Sequence, residues 1–368
     1  MSGADGGWRR RVAVWLVPAG VFQSVIVGGA YGTGREVAEY MTQYGALGGL
    51  LAIALVMLGL TAVLAACFEF ARVFRVYDYR SFVRELLGDW WPAYEVCFVL
   101  LLVIVLAVTG SAAGLTLAST FGLDARTGTA AVLVAVVACN FFGRRLVEAT
   151  LTAGAIALSA GLLAYGALIA TQGGGAVLRT LAAADVVPGW WLSGLEFTLY
   201  NSALVPVLLY ATTAVRTRRE AVGAAAVAAF AGILPALVLH LSFLARYPAV
   251  VDEALPAYAM IAAFGTRAFL WVYVGLLFVT IVQTGVGVLQ GLNERLDAWS
   301  AERRARPLPK WAHAAVAGLA FTASVALARA GIVDLIARGY GTLAWCFLVV
   351  FTLPALTLGI ARIRRATQ

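Results

Sequence analysis

The chain has 368 residues, 62% of them hydrophobic and only 12% charged, with a mean hydropathy of +0.89. A soluble domain carries about 25% charged residues, so half the usual polar coat is missing and lipid must take its place. The net charge of +8 does not imply nucleic acid, because the basic residues are spread over loops between apolar runs and do not alternate with stacking aromatics.

The first residues, MSGADGGWRRR, precede an apolar run that outlasts a signal-peptide core and has no small-residue cleavage site, so they read as the lead into a retained first helix. A helix needs about 20 apolar residues to cross the hydrocarbon core. Segments 12–44, 46–74, 92–119, 127–143 and 146–172 qualify in the first half of the chain, and 190–215, 219–245, 266–298, 311–330 and 332–363 in the second. The loop from Arg246 to Thr266 is expected to hold a small helix of its own. The chain is therefore expected to be all-α, a single membrane domain over 1–368 with ten crossings.

Ten crossings place both termini and every even-numbered loop on one face. That face collects Arg9 to Arg11, Arg72 to Arg84, Arg144 and Arg145, Arg216 to Arg219, Arg295 to Lys310, and Arg362 to Arg365, most of the 27 Lys and Arg. By the positive-inside rule the termini are expected to be cytoplasmic, in a multi-pass protein of the inner membrane.

The two five-helix halves, 12–172 and 190–363, begin with matching defects. Segment 12–44 is too long for a straight crossing and carries Gly28, Gly29, Gly32 and Gly34 at its middle. Glycine costs about 1 kcal/mol against alanine inside a helix, so a break is expected there, with Arg35 and Glu36 opening a second half-helix. Segment 190–215 carries Tyr200, Asn201 and Ser202 just before Pro206. The Pro206 ring crowds the carbonyl four residues back and removes a donor. Unsatisfied backbone is not tolerated against lipid. Paired broken helices at equivalent places in two halves mark a mid-membrane binding site. Gly28 and Gly32, like Gly110 and Gly114 or Gly287 and Gly291, also have the spacing of close helix packing.

Ionisable residues inside membrane helices are functional candidates by default. Near the breaks these are Arg35, Glu36, Glu39, Glu196, Asp334 and Arg338. Arg35 with Glu39, and Asp334 with Arg338, have the i,i+4 spacing of simple helix-face pairs; the second pair could equally gate the site. Glu36 and Glu196, one from each half, could take up and release a proton or hold a substrate ammonium group. Glu69, Glu95 and Glu148 fall near helix ends and read as solvated or structural. Tyr31, Phe197, Tyr200 and Tyr340 could wall a pocket. Cys67, Cys97, Cys139 and Cys346 lie in apolar runs without CxxC spacing, and only His240 and His313 could join them, so neither a disulfide framework nor a zinc site is expected.

The stretches GGAYGTGREVAEY (28–40), YNSALVPVLLY (200–210) and ARGYGTLAW (337–345) resemble the YkvI-type membrane proteins. These are relatives of the amino acid–polyamine–organocation superfamily, which has the leucine-transporter fold. Where this chain has Arg35, that family usually has Gln, beside a Glu that matches Glu36. The resemblance implies two inverted five-helix repeats with a broken first helix in each. It also implies alternating-access transport of a small organic solute such as an amino acid or amine. Substrate contacts would come from Gly29, Tyr31, Gly32, Gly34, Arg35, Glu36, Glu196, Tyr200, Asn201, Ser202 and Tyr340. A sodium site would use the carbonyls of Gly28 and Tyr31 with the hydroxyls of Thr280 and Thr284, although Thr280, Gln283 and Thr284 also have the spacing of a packing face. No cofactor is expected beyond Na⁺ or H⁺ as coupling ion.

Two other functions fit the sequence less well. A membrane enzyme lacks support, since HExxH and GxSxG are absent from the sequence. A sensor or scaffold would usually carry a soluble output domain, and the loops of this chain are short.

Overall fold

The computed structural model describes residues 2–142, 144–304 and 310–368. The side chains of Cys139, Glu148 and His313 lie outside the described residues. Every regular element among the described residues is helical. Among the described residues six helices are long and apolar enough to cross a membrane, and the bent pair Trp190–Ser202 and Val205–Thr212, taken as one span, makes a seventh. The broken segment around Val17–Ile26 and Arg35–Tyr40, with Ala125–Phe142 and Lys310–Ala328, occupies the positions of the other predicted crossings, so the arrangement is compatible with ten. The protein is a multi-pass membrane protein.

Local chemistry sets where the helices start and stop. Asp78 accepts the backbone N–H of Ser81 at 2.9 Å and opens a short helix, Tyr79–Leu87, which the apolar periodicity of the sequence did not reveal. Thr217 and Glu220 form a reciprocal capping box at the start of Arg218–Phe243, each satisfying an N–H that the helix itself leaves free. The small helix expected between Arg246 and Thr266 is present as Pro256–Phe264.

Two expectations changed on folding. The fifth helix, Arg144–Ala183, runs well past residue 172. The glycine run just beyond that bound stays helical, and a Cβ on Gly173 would lie 3.1 Å from Ala245, so the missing side chain serves packing. Of the small-residue pairs, Gly110 and Gly114 do pack closely: a Cβ on Gly114 would sit 2.1 Å from the Thr129 hydroxyl. Gly287 has open space beside it and Gly291 meets only Arg295 of its own helix closely, so that pair makes no tight helix crossing.

The first crossing breaks as expected. Val17–Ile26 ends at Val27, a single turn Gly29–Gly32 follows, and Arg35–Tyr40 resumes the course. Gly34 is the pivot, with φ at +79° and a hypothetical Cβ 2.4 Å from the Phe243 ring. An L side chain pays about 1–2 kcal/mol for the left-handed conformation alone. Gly34→Ala is expected to lower the apparent Tm of the purified protein by several degrees. Gly20→Ala, on the same segment with nothing within 4 Å, should leave it unchanged or raise it; equal behaviour of the two would remove the pivot.

Candidate functional site

A break in a membrane helix frees carbonyl groups, and each needs a donor. In the first break the Gly32 carbonyl accepts the Tyr273 hydroxyl at 2.7 Å. The Thr33 carbonyl accepts the backbone N–H of Ala257 at 3.0 Å. In the second break the Ala203 carbonyl accepts the Tyr94 hydroxyl at 2.6 Å, and the two flanking helices meet at 46°. All three side-chain and backbone partners come from other helices, so the breaks are built into the packing.

Between the breaks lies a buried carboxylate. Glu36 accepts the Tyr200 hydroxyl at 2.7 Å. Among the described residues Glu36 makes no ion pair. Tyr200 stacks on Tyr340, with ring centroids 4.8 Å apart, and also contacts Tyr40 and Phe197. The Tyr40 hydroxyl donates to the Ile336 carbonyl at 2.8 Å. The result is an acidic group bonded to one ring of an aromatic cluster drawn from three crossings: the first, the sixth and the last. A carboxylate beside aromatic rings is chemistry that suits an organic cation.

Arg35, next in sequence, is engaged elsewhere. Its guanidinium pairs with Glu39 at 2.5 Å and donates to the carbonyls of Val251 at 2.5 Å and Glu253 at 3.0 Å. It thereby ties the second half of the first crossing to the connection that follows Arg218–Phe243. Glu196 accepts the Trp345 indole N–H at 3.0 Å and lies one helical turn before Tyr200, on the edge of the aromatic cluster and not against Glu36. Asp334 and Arg338 pair with each other at 3.4 Å with side chains 53% and 86% exposed, so they stand on the outside of the last crossing, away from Glu36.

The remaining candidates are placed as follows. Asn201 donates to the Phe197 carbonyl of its own helix. Ser202 bonds the Leu199 carbonyl and the Thr352 hydroxyl, joining the second break to the last crossing. Tyr31 is fully buried in the first break, and among the described residues its hydroxyl makes no hydrogen bond of normal geometry. Gly29 belongs to the single turn between the two half-helices.

Of the sodium set, Thr284 is brought against Gly28, its hydroxyl 3.3 Å from a hypothetical Cβ there. The hydroxyls of Thr280 and Thr284 donate to carbonyls of their own helix. The carbonyls of Gly28 and Tyr31 accept the N–H groups of Gly32 and Gly34. Carbonyl and hydroxyl oxygens keep a second lone pair, so these groups retain acceptor capacity. Glu69 pairs with Arg72 at 2.7 Å and Glu95 with Arg295 at 3.1 Å, which is the structural role expected of them. His240 is likewise structural, bridging Thr42 and the Ala46 carbonyl at 3.1 Å each.

The sequence reading did not single out Tyr94, Tyr273, Tyr40 or Trp345. Their partners lie 109, 241, 296 and 149 residues away, beyond any local periodicity. One signal was present: Tyr94 and Tyr273 each stand near the start of the third helix of their half.

No family model matches the sequence, and no curated protein matches it. Solved structures do match. The structure of MhsT in complex with L-phenylalanine is 15% identical, with a TM-score of 0.56 over 97% of this chain and 98% of that one. The substrate-bound outward-open Na⁺-coupled sialic acid symporter is 14% identical, with a TM-score of 0.55 over 93% of this chain and 85% of that one. A manganese transporter of Eremococcus coleocola is 13% identical, with a TM-score of 0.55 over 96% and 78%. At such identities the likeness establishes the fold, which is the leucine-transporter fold.

The Arg35 tie can be tested by hydrogen exchange. Hydrogen bonds to a charged group are worth about 1.5–3 kcal/mol each, so Arg35→Ala is expected to raise exchange across residues 247–256 by about tenfold or more. Asp334→Ala should leave that segment unchanged. An unaltered pattern in Arg35→Ala would show that the connection is held by other contacts.

Proposed function

We propose that the chain is a secondary transporter for a small organic solute bearing a protonated amine, an amino acid or a simple amine, working by alternating access. The observation that carries this reading is Glu36: a buried carboxylate between two helix breaks, bonded by Tyr200, whose ring contacts Tyr340 and Tyr40, and with no ion pair among the described residues. An uncompensated buried charge is costly, and a substrate ammonium group offsets that cost. Arg35 is occupied by Glu39 and two carbonyls, so the neighbouring positive charge does not cancel the site.

The fold and the motifs over 28–40, 200–210 and 337–345 support placing the chain with the YkvI-type proteins of the amino acid–polyamine–organocation superfamily. Solved structures of the same fold include one in complex with L-phenylalanine and one of a Na⁺-coupled symporter. The division into inverted halves, 12–172 and 190–363, is supported by the reciprocal placement of the two breaks and of Tyr94 and Tyr273. We favour proton coupling, because Glu36 can carry a proton when no amine is bound. A cytoplasmic position of the termini follows from the basic loops.

The test is flux in proteoliposomes. An imposed pH gradient should drive uptake of an amine or amino acid from a broad panel. Glu36→Gln should slow uptake at least a hundredfold, the scale of removing one partner of a buried charge pair, about 3–5 kcal/mol. Asp334→Asn, at the exposed pair, should leave it within twofold. Absence of gradient-driven flux or binding across the panel would end the transport reading. Flux that follows a Na⁺ gradient and ignores pH would overturn proton coupling alone.

A further inference from the structure

Tyr94 and Tyr273 perform one task at two places. Tyr273 enters from near the start of Arg267–Arg304 and holds the Gly32 carbonyl. Tyr94 enters from near the start of Trp91–Phe121 and holds the Ala203 carbonyl. Both phenols are nearly inaccessible, at 6% and 0% exposure. In a ten-crossing chain the helices starting at Trp91 and at Arg267 begin on opposite membrane faces, five crossings apart. The two broken crossings also run in opposite directions. A helical carbonyl points toward the C-terminal end of its helix, so the Gly32 carbonyl points toward the face from which Tyr273 enters. The Ala203 carbonyl points toward the face from which Tyr94 enters.

Each bond therefore ties a break to a helix on the face toward which its carbonyl points. In alternating access, movement of the half-helix after Gly32 away from Arg267–Arg304 would strain the first bond, and movement of the half-helix after Ala203 away from Trp91–Phe121 would strain the second. Both bonds are made at once in this structure, alongside the Arg35 tie to Val251 and Glu253 on one face and the Arg10–Glu220 pair, at 2.5 Å, on the other. We infer that Tyr94 and Tyr273 are a reciprocal pair of positioning residues, each bracing one face closed, so that their balance sets which side of the protein is open. The inference rests on the alternating-access reading, but its test reads conformation rather than flux, so the two can fail separately.

The experiment measures spin-label distances in the full chain carrying Cys67→Ala, Cys97→Ala, Cys139→Ala and Cys346→Ala. Leu47→Cys with Arg267→Cys reports the face of Tyr273; Asp89→Cys with Thr213→Cys reports the face of Tyr94. Tyr273→Phe should shift the Leu47–Arg267 population toward the long distance about fivefold, the effect of one net neutral hydrogen bond, and leave the other pair short. Tyr94→Phe should do the reverse. The double variant should return both distributions toward the parent ratio. Where a Phe variant does not fold, Met at that position, apolar and adaptable, carries the same expectation. Shifts of the same sign in both single variants, or none, would reduce the two tyrosines to packing; opposite shifts without any transported solute would keep the braces and end the transport reading.

Discussion

A lipid-embedded helix that stops and restarts must find donors for the carbonyls it releases, since no water is available to supply them. Everything distinctive in this protein follows from how that demand is met. Gly32 and Ala203 each give up a carbonyl, and each is met by the hydroxyl of a tyrosine from a distant helix. Because the donors are side chains of neighbouring helices and not of the broken helix itself, the breaks are fixed in space only while those neighbours stay packed.

The breaks in turn decide the charge at the centre. Gly34 turns the chain through a left-handed conformation and starts the half-helix that points Arg35 and Glu36 in different directions. Arg35 goes to the carbonyls of Val251 and Glu253 and to Glu39, while Glu36 goes to Tyr200. Adjacent residues of opposite charge would cancel if they shared one environment. Separated this way, the arginine becomes a strut and the glutamate is left to bond Tyr200 at the aromatic cluster.

Much of this was legible in the sequence, and for identifiable reasons. Glycine density at 28–34 and Pro206 announce backbone defects by local rules, and the structure breaks at both places. Glu36 and Tyr200 stand beside those defects, and Tyr340 belongs to the stretch 337–345 that carries the family resemblance; the three do come together. Asp334 and Arg338 were named by the same reasoning, yet the pair sits exposed on the last crossing, because i,i+4 spacing states that two residues share a helix face but not which way that face looks. The sequence could not show Tyr94 or Tyr273, since a phenol near a helix start has the same local pattern whether it faces lipid or a carbonyl more than a hundred residues away. Nor could it show that Arg35 is tied down by the segment after Arg218–Phe243, a contact that exists only once the chain has folded back.

The most direct measurement is solid-state NMR of the protein in lipid bilayers, with ¹³C carbonyl label at Gly32 and Ala203 and ring label in tyrosine. The account predicts short-range transfer from a tyrosine Cζ to each carbonyl, lost at Gly32 in Tyr273→Phe and at Ala203 in Tyr94→Phe. Carbonyl shifts of continuous helix at both positions, with no tyrosine nearby, would contradict it.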